Sequence, residues 1–220
     1  MVSRETDPPD LPDWLGPYAE PLRVFADLLA GPGVERGLIG PREVARLWER
    51  HLLNCAVVAE PSTGLVPQGA SVADVGSGAG LPGLVWAIVR PDITVRLLEP
   101  LLRRTVFLNE AVAALRLSDR VRVVRVRGEH ASLEDGWEPV DVVTARAVAP
   151  LVRLVGWTVP LLAGGGRLVA LKGSSASDEL AEAAAQAATT GLVDLEVRRC
   201  GIGVVDPPTT VVTGTRDAAE

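Results

Sequence analysis

The sequence predicts an α/β fold: seven strands in a mostly parallel sheet, covered by helices on both faces and preceded by an N-terminal helical cap. Three observations carry this. From residue 71 onward, short Val- and Leu-rich runs alternate with helix-length segments, the pattern of strands buried on both faces. A glycine-dense turn, residues 76–83 (GSGAGLPG), joins the first such run to the first such helix. Upstream, the apolar residues recur at helical spacing only: Leu22, Phe25, Leu28 and Leu29, then Val44, Leu47, Trp48, Leu52 and Cys55.

Taken in order, residues 1–13 are acidic and Pro-rich and read as a tail, 14–65 as the helical cap, and 66–220 as the Rossmann-like sheet domain. The first cap helix spans 15–30. The stretch GPGVERGLIG interrupts it, and Pro41 opens a second helix that runs to about Glu60. In that helix Arg42, Arg46, Arg50 and Asn54 recur every four residues and would share a face. A linker occupies 61–70. Strands are expected over 71–75, 93–98, 121–126, 140–144, 166–171, 193–199 and 209–214, with helices over 80–90, 101–116, 150–162 and 176–190. No clear helix separates the last two strands, so they read as an antiparallel hairpin at the sheet's edge. Trp48, Trp86, Trp137 and Trp157 read as core rather than as stacking platforms.

Bulk composition narrows the function. A hydrophobic content of 47% implies a globular chain, and no apolar run reaches the length of a membrane span. The N-terminus lacks the apolar core of a signal peptide, and Cys55 and Cys200 form no spaced pair; both features suit the cytoplasm. Two distant histidines give no expectation of a metal. The net charge of −6 alone argues against nucleic acid, but its distribution is uneven. Residues 1–20 hold five acids and one arginine, whereas residues 90–127 hold nine arginines against Asp92, Glu99, Glu110 and Asp119. Against 21 arginines the chain keeps one lysine, Lys172.

The glycine turn can be read in two registers. Gly78-x-Gly80-x-x-Gly83 matches a dinucleotide fingerprint. Asp74-x-Gly76-x-Gly78-x-Gly80 instead places an acid two residues before GxGxG, as S-adenosylmethionine-dependent methyltransferases do. A pyrophosphate would be repelled by an acid at the strand's tip, whereas an ammonium or sulfonium would be attracted. Asp74 therefore favours the second register. Glu99, at the tip of the second strand, could accept ribose hydroxyls in either.

The residues then resemble a known family. ERHLLNC (49–55), DVGSGAGLPG (74–83), LLEP (97–100) followed by RRTVFLNE (103–110), RGEHA (127–131), TARAVAPL (144–151) and ALKG (170–173) stand in the order and spacing of the bacterial ribosomal RNA small subunit methyltransferase G family (glucose-inhibited division protein B). The resemblance implies a class I S-adenosylmethionine-dependent methyltransferase fold and methyl transfer to N7 of one guanine in 16S ribosomal RNA, either free or in a precursor of the small subunit. It also implies a monomer.

Site residues follow. Gly76, Gly78 and Gly80 would pass the cofactor's backbone with Leu81 against it, Asp74 near its cationic end, Glu99 on the ribose, and Gly128 and Glu129 at the adenine edge. Arg146 follows the fourth strand and, by resemblance, lines the cofactor and substrate site; its own chemistry suits a phosphate or a guanine O6. Lys172 closes the fifth strand as a candidate RNA contact. His51 and Asn54, with Arg50, would face the active-site mouth. Arg42, Arg46, Arg50, Arg103 and Arg104 could track RNA phosphates, or form a solvated face paired with Glu43 and Glu49. Two other functions remain open at this point: an RNA-binding assembly factor with a vestigial cofactor pocket, and a small-molecule methyltransferase.

Overall fold

The structure is a computed structural model and describes residues 7–133 and 136–218; of the tail expected over 1–13, residues 1–6 lie outside the described residues. Seven strands form one sheet: β1 (Ser71–Val75), β2 (Thr94–Leu98), β3 (Val121–Val124), β4 (Val140–Arg146), β5 (Leu162–Lys172), β6 (Leu192–Cys200) and β7 (Thr209–Arg216). Their order is β3-β2-β1-β4-β5-β7-β6. The first five run parallel, and β7 is antiparallel to both β5 and β6. The last two strands therefore pair as the expected antiparallel hairpin at the sheet's edge, with the later strand on the inside. β7 inserts between β5 and β6. Composition explains the choice: Val211, Val212 and Thr213 are buried, whereas β6 carries Asp194, Glu196, Arg198 and Arg199 and suits an edge.

Strand alternation assigns each residue to a face. Val72, Val95, Leu97, Val142, Val169 and Leu171 share a buried cluster with the N-terminal segment, α3 (Gly83–Val89) and α4 (Leu102–Ala114). Ala73, Val75, Leu98, Val143, Ala145, Leu168 and Ala170 belong to a second cluster with α5 (Leu151–Thr158) and α6 (Ala176–Thr189). In the N-terminal segment, helix Ala19–Leu28 packs Leu22 and Phe25, and helix Asn54–Ala59 packs Val57, into that first cluster. Trp86 is fully buried there and donates its indole N–H to the Cys55 carbonyl at 3.0 Å. Among the described residues, no helix is long and apolar enough to cross a membrane.

The helix expected over 41–60 is not continuous. Pro41–Arg46 forms a 3₁₀ turn, Arg46 leaves helical geometry (φ −120°, ψ 10°), Leu47–Leu53 winds as a π-type turn, and α-helix resumes only at Asn54. Leu47, Trp48, Leu52 and Leu53 are all buried. These residues form two pairs five apart, the hydrogen-bond repeat of a π turn, so the wider winding brings both pairs to one face. A 3.6-residue winding would spread them around the axis. The continuous helix that would have carried Arg42, Arg46, Arg50 and Asn54 on one face is interrupted, yet Arg46, Arg50 and Asn54 still border one cleft.

Much of the central arginine excess is structural. Arg90 is buried and donates to the carbonyls of Val66 (2.8 Å) and Pro67 (3.0 Å), fixing the 61–70 linker, and pairs with Asp92 at 2.6 Å. Arg120 donates to the Ala87 carbonyl. Arg96 stacks on Trp137, 4.9 Å from its ring centroid.

Candidate active site at the carboxyl edge of the sheet

Asp74 stands on the same face of β1 as Val72, turned toward the N-terminal segment, and is fully buried. Its Oδ2 accepts the Gly83 N–H at 3.0 Å, whereas its Oδ1 is buried with no hydrogen-bond partner among the described residues. Burial raises the carboxyl from its ordinary 3.8 to about 7. A buried carboxylate oxygen lacking a donor is what an ammonium or sulfonium group would satisfy, so this residue fits the cationic end of S-adenosylmethionine.

The glycine turn rises over Asp74. Gly78 has φ +57°, and an added Cβ would meet only the Gly76 carbonyl oxygen at 3.8 Å. Backbone conformation therefore demands glycine there, while the space beside it stays clear for a ligand. Gly83 is required for the opposite reason: a Cβ would lie 2.5 Å from Leu97 Cδ2 and 2.6 Å from Asp74 Oδ2. Gly76 lies beneath Val148, Gly80 against Leu84, and Leu81 is buried.

Glu99 is almost completely buried. Its Oε2 accepts the Gly78 N–H at 3.0 Å, its Oε1 accepts the Leu101 N–H at 2.9 Å, and Arg104 lies 3.6 Å away. It thus joins the turns after β1 and β2, and each oxygen keeps a further acceptor site for a ribose hydroxyl. Gly128 opens the 3₁₀ turn Gly128–Leu133 after β3, so close to β1 that a Cβ would sit 2.6 Å from Val75 Cγ1. Glu129 is exposed beside it, 3.9 Å from Arg127.

Arg146 ends β4 on the face that Asp74 shares, and the chain turns sharply beyond it, with Ala147 at φ +54°. Its Nη2 lies 2.8 Å from His51 Nδ1 and donates to the Arg50 carbonyl at 3.1 Å; its Nη1 lies 3.4 Å from Cys55 Sγ. The other imidazole nitrogen, His51 Nε2, lies 3.1 Å from Glu43 Oε2. Burial and then the Arg146 charge hold the imidazole below its ordinary pKa, against the opposing pull of Glu43. A guanidinium has only donors, so Nδ1 is the acceptor and Nε2–H donates to Glu43.

Beside Arg146 opens a cleft of about 1390 Å³, lined among others by Arg46, Arg50, His51, Asn54, Arg146 and Lys172, with Arg199, Thr209 and Thr210 contributed by the β6–β7 hairpin. The candidate residues thus fall into two groups that meet at Arg146. The glycine turn, Glu99, Gly128 and Glu129 lie on one side, and the cleft lies on the other. Arg42, Arg103 and Arg104 are not in the cleft lining. Arg104 turns toward Glu99.

Lys172 differs from the expectation of a free RNA contact. Its side chain is only 9% exposed, and it donates to the Ala149 carbonyl at 2.9 Å and to Glu179 Oε2 at 2.7 Å. Glu179 also accepts the Leu151 N–H at the start of α5. The pair therefore latches the 147–150 turn to α6. Alternation could have flagged this, because Lys172 shares the face of Leu168 and Ala170, opposite to Arg146. Asn54 is also engaged: its Oδ1 accepts the Thr209 hydroxyl at 2.6 Å, tying the N-terminal segment to β7. Glu43, Glu179 and Thr209 were not candidates from the sequence, since each acquires its role only through a distant partner.

The strand order, the acid at the tip of β1, the glycine turn and the acid at the tip of β2 define a class I S-adenosylmethionine-dependent methyltransferase. A solved SAM-dependent O-methyltransferase from Thermotoga maritima shares the fold, with a TM-score of 0.55 and 18% identity over 76% of this chain and 66% of that one. The chain belongs to the rRNA small subunit methyltransferase G (GidB) family, whose model matches residues 19–205. It is 60% identical over 196 residues to ribosomal RNA small subunit methyltransferase G of Salinispora tropica, covering 88% of this chain and 79% of that one. It is 61% identical over 193 residues to the protein of the same name from Thermobifida fusca, covering 87% and 77%.

Proposed function

We propose that this chain methylates N7 of one guanine in 16S ribosomal RNA, acting on the free RNA or on a precursor of the small subunit. The observation that carries the reading is the position of Arg146, held between the Asp74–glycine turn and an open cleft. Bound S-adenosylmethionine supplies a methyl carbon made electrophilic by its sulfonium. Gly76, Gly78, Gly80 and Leu81 shape the cofactor's bed, Glu99 takes the ribose, Gly128 and Glu129 border the adenine, and the unpartnered Asp74 oxygen faces the cationic end.

Guanine N7 carries an unprotonated lone pair at neutral pH, so no side chain has to remove a proton from the nucleophile. The protein's task is alignment, which can contribute on the order of several kcal/mol. Arg146 donates toward the target nucleotide's O6 or phosphate, while Arg46 and Arg50 hold neighbouring phosphates from the cleft wall. In this reading residues 14–65 act as a cap over the 66–220 methyltransferase unit, with His51 and Asn54 at the mouth. The protein works as a monomer in the cytoplasm.

The test combines purified protein, labelled S-adenosylmethionine and 16S RNA presented free, in assembling particles and in finished subunits, followed by nucleoside mass spectrometry. The expected product is 7-methylguanosine at one position. Cofactor binding by calorimetry with no N7 product on any form of the subunit would overturn the substrate assignment. No cofactor binding at all would favour an assembly factor.

A further inference from the structure

We propose that Glu43 is a positioning residue for methyl transfer: acting through His51, it fixes the guanidinium of Arg146 at the edge of the substrate cleft. The inference rests on the reading that Arg146 contacts the target nucleotide. It begins with the broken helix. In a continuous α-helix, residues 43 and 51 would stand about 12 Å apart along the axis. The 3₁₀ turn, the break at Arg46 and the π turn bring Glu43 Oε2 to 3.1 Å from His51 Nε2 instead. Single-turn π segments are frequent at functional sites, and here the irregular winding places a carboxylate behind a histidine.

The donor inventory fixes the direction of the chain. Arg146 can only donate, so the 2.8 Å contact requires a bare Nδ1, and the imidazole proton must sit on Nε2, where Glu43 receives it. Without an acceptor at Nε2 the proton is free to move to Nδ1, which would place N–H against N–H at Arg146. Glu43 thus selects the tautomer that holds the arginine. With Nη2 directed to His51 and Arg50 and Nη1 to Cys55, the Nε–H and one Nη1 hydrogen remain for a ligand.

The charged groups around the imidazole are Glu43 and Arg50 from its own segment, with Arg46 beside Glu43, and Arg146 from β4, behind which lies Asp74. Protonating His51 removes the acceptor and sets a cation against Arg146, so activity should show an acid limb. Glu43 favours the protonated imidazole, and removing its charge should move that limb to lower pH.

Single-turnover methyl transfer at saturating RNA and cofactor, measured from pH 5.5 to 8.5, tests this with Glu43→Ala and Glu43→Gln. For Glu43→Ala we expect a rate loss of roughly tenfold or more with S-adenosylmethionine affinity nearly unchanged. Glu43→Gln retains an acceptor, so it should recover most of the rate near pH 8 and shift the acid limb downward. A purely structural role predicts equal losses in both variants and no shift of the limb. That result, or a Glu43→Ala rate equal to wild type, would overturn the proposal. Should Glu43→Ala fold poorly by circular dichroism, the pH limb of Glu43→Gln decides alone. If wild type itself transfers no methyl group, the failure lies with the proposed function rather than with Glu43.

Discussion

Replacing Asp74 with asparagine separates the role of its charge in folding from its role in binding. The carboxyl is raised by burial from 3.8 to about 7. The folded state therefore holds a proton that the unfolded chain releases. Stability from this group is complete below about pH 4 and declines as the pH rises through 7. Over the whole range the linkage amounts to about 4 kcal/mol, and between pH 5 and pH 8 to about 2.5 kcal/mol. Asn can still accept the Gly83 N–H, and its amide carries no titration. Urea unfolding of both ligand-free proteins at several pH values isolates the effect, because a constant offset from the amide's own buried N–H groups cancels in the slope. The stability difference between variant and wild type should shift in favour of the variant by about 2.5 kcal/mol from pH 5 to pH 8. Parallel profiles would show that Asp74 is already ionised in the fold and would refute the reasoning. On the proposed reading of the site, the same substitution should abolish tight cofactor binding, since an amide, unlike the carboxyl, cannot ionise to meet the cofactor's cationic end.

Two further outcomes follow from packing. Gly83→Ala places a methyl 2.5 Å from Leu97 and 2.6 Å from Asp74; denaturant unfolding should show a loss of about 1–3 kcal/mol, accompanied by weaker cofactor binding in calorimetry. Lys172→Met breaks the latch to Glu179 and Ala149 and should cost about 2 kcal/mol in unfolding experiments. It should leave the salt dependence of RNA binding unchanged; a slope reduced by about one would mark Lys172 as a phosphate contact after all.

Much of the site's layout was legible from strand ends. Asp74, Glu99 and Arg146 each close a run of β-type residues, and alternation along β1 and β4 sets Asp74 and Arg146 on one face. The four-residue repeat of Arg42, Arg46, Arg50 and Asn54 held only in part: the last three line the cleft and Arg42 does not, because the winding changes at Arg46. Buried Leu47, Trp48, Leu52 and Leu53 imposed a different repeat on the same residues. Counting arginines between 90 and 127 also misled. Arg90 and Arg120 satisfy backbone carbonyls inside the fold, and charge counts do not distinguish such internal donors from surface ones. The link from Glu43 through His51 to Arg146 was beyond any local pattern, since it crosses eight residues of irregular helix and then 95 residues of chain.

The placement of β7 bears on how the chain reaches this state. β5 can pair with β4 as soon as both are made, but β6, which leaves the ribosome before β7, has no neighbour in the sheet until β7 lies between it and β5. Until then β5 exposes an unpaired, Val- and Leu-rich edge, which is a template for intermolecular pairing. Asn54, held by Thr209 at the start of β7, joins the cleft wall to this late step. A nascent chain therefore completes its substrate cleft only as its last strand docks, and truncation within β7 should yield aggregates rather than a slower enzyme.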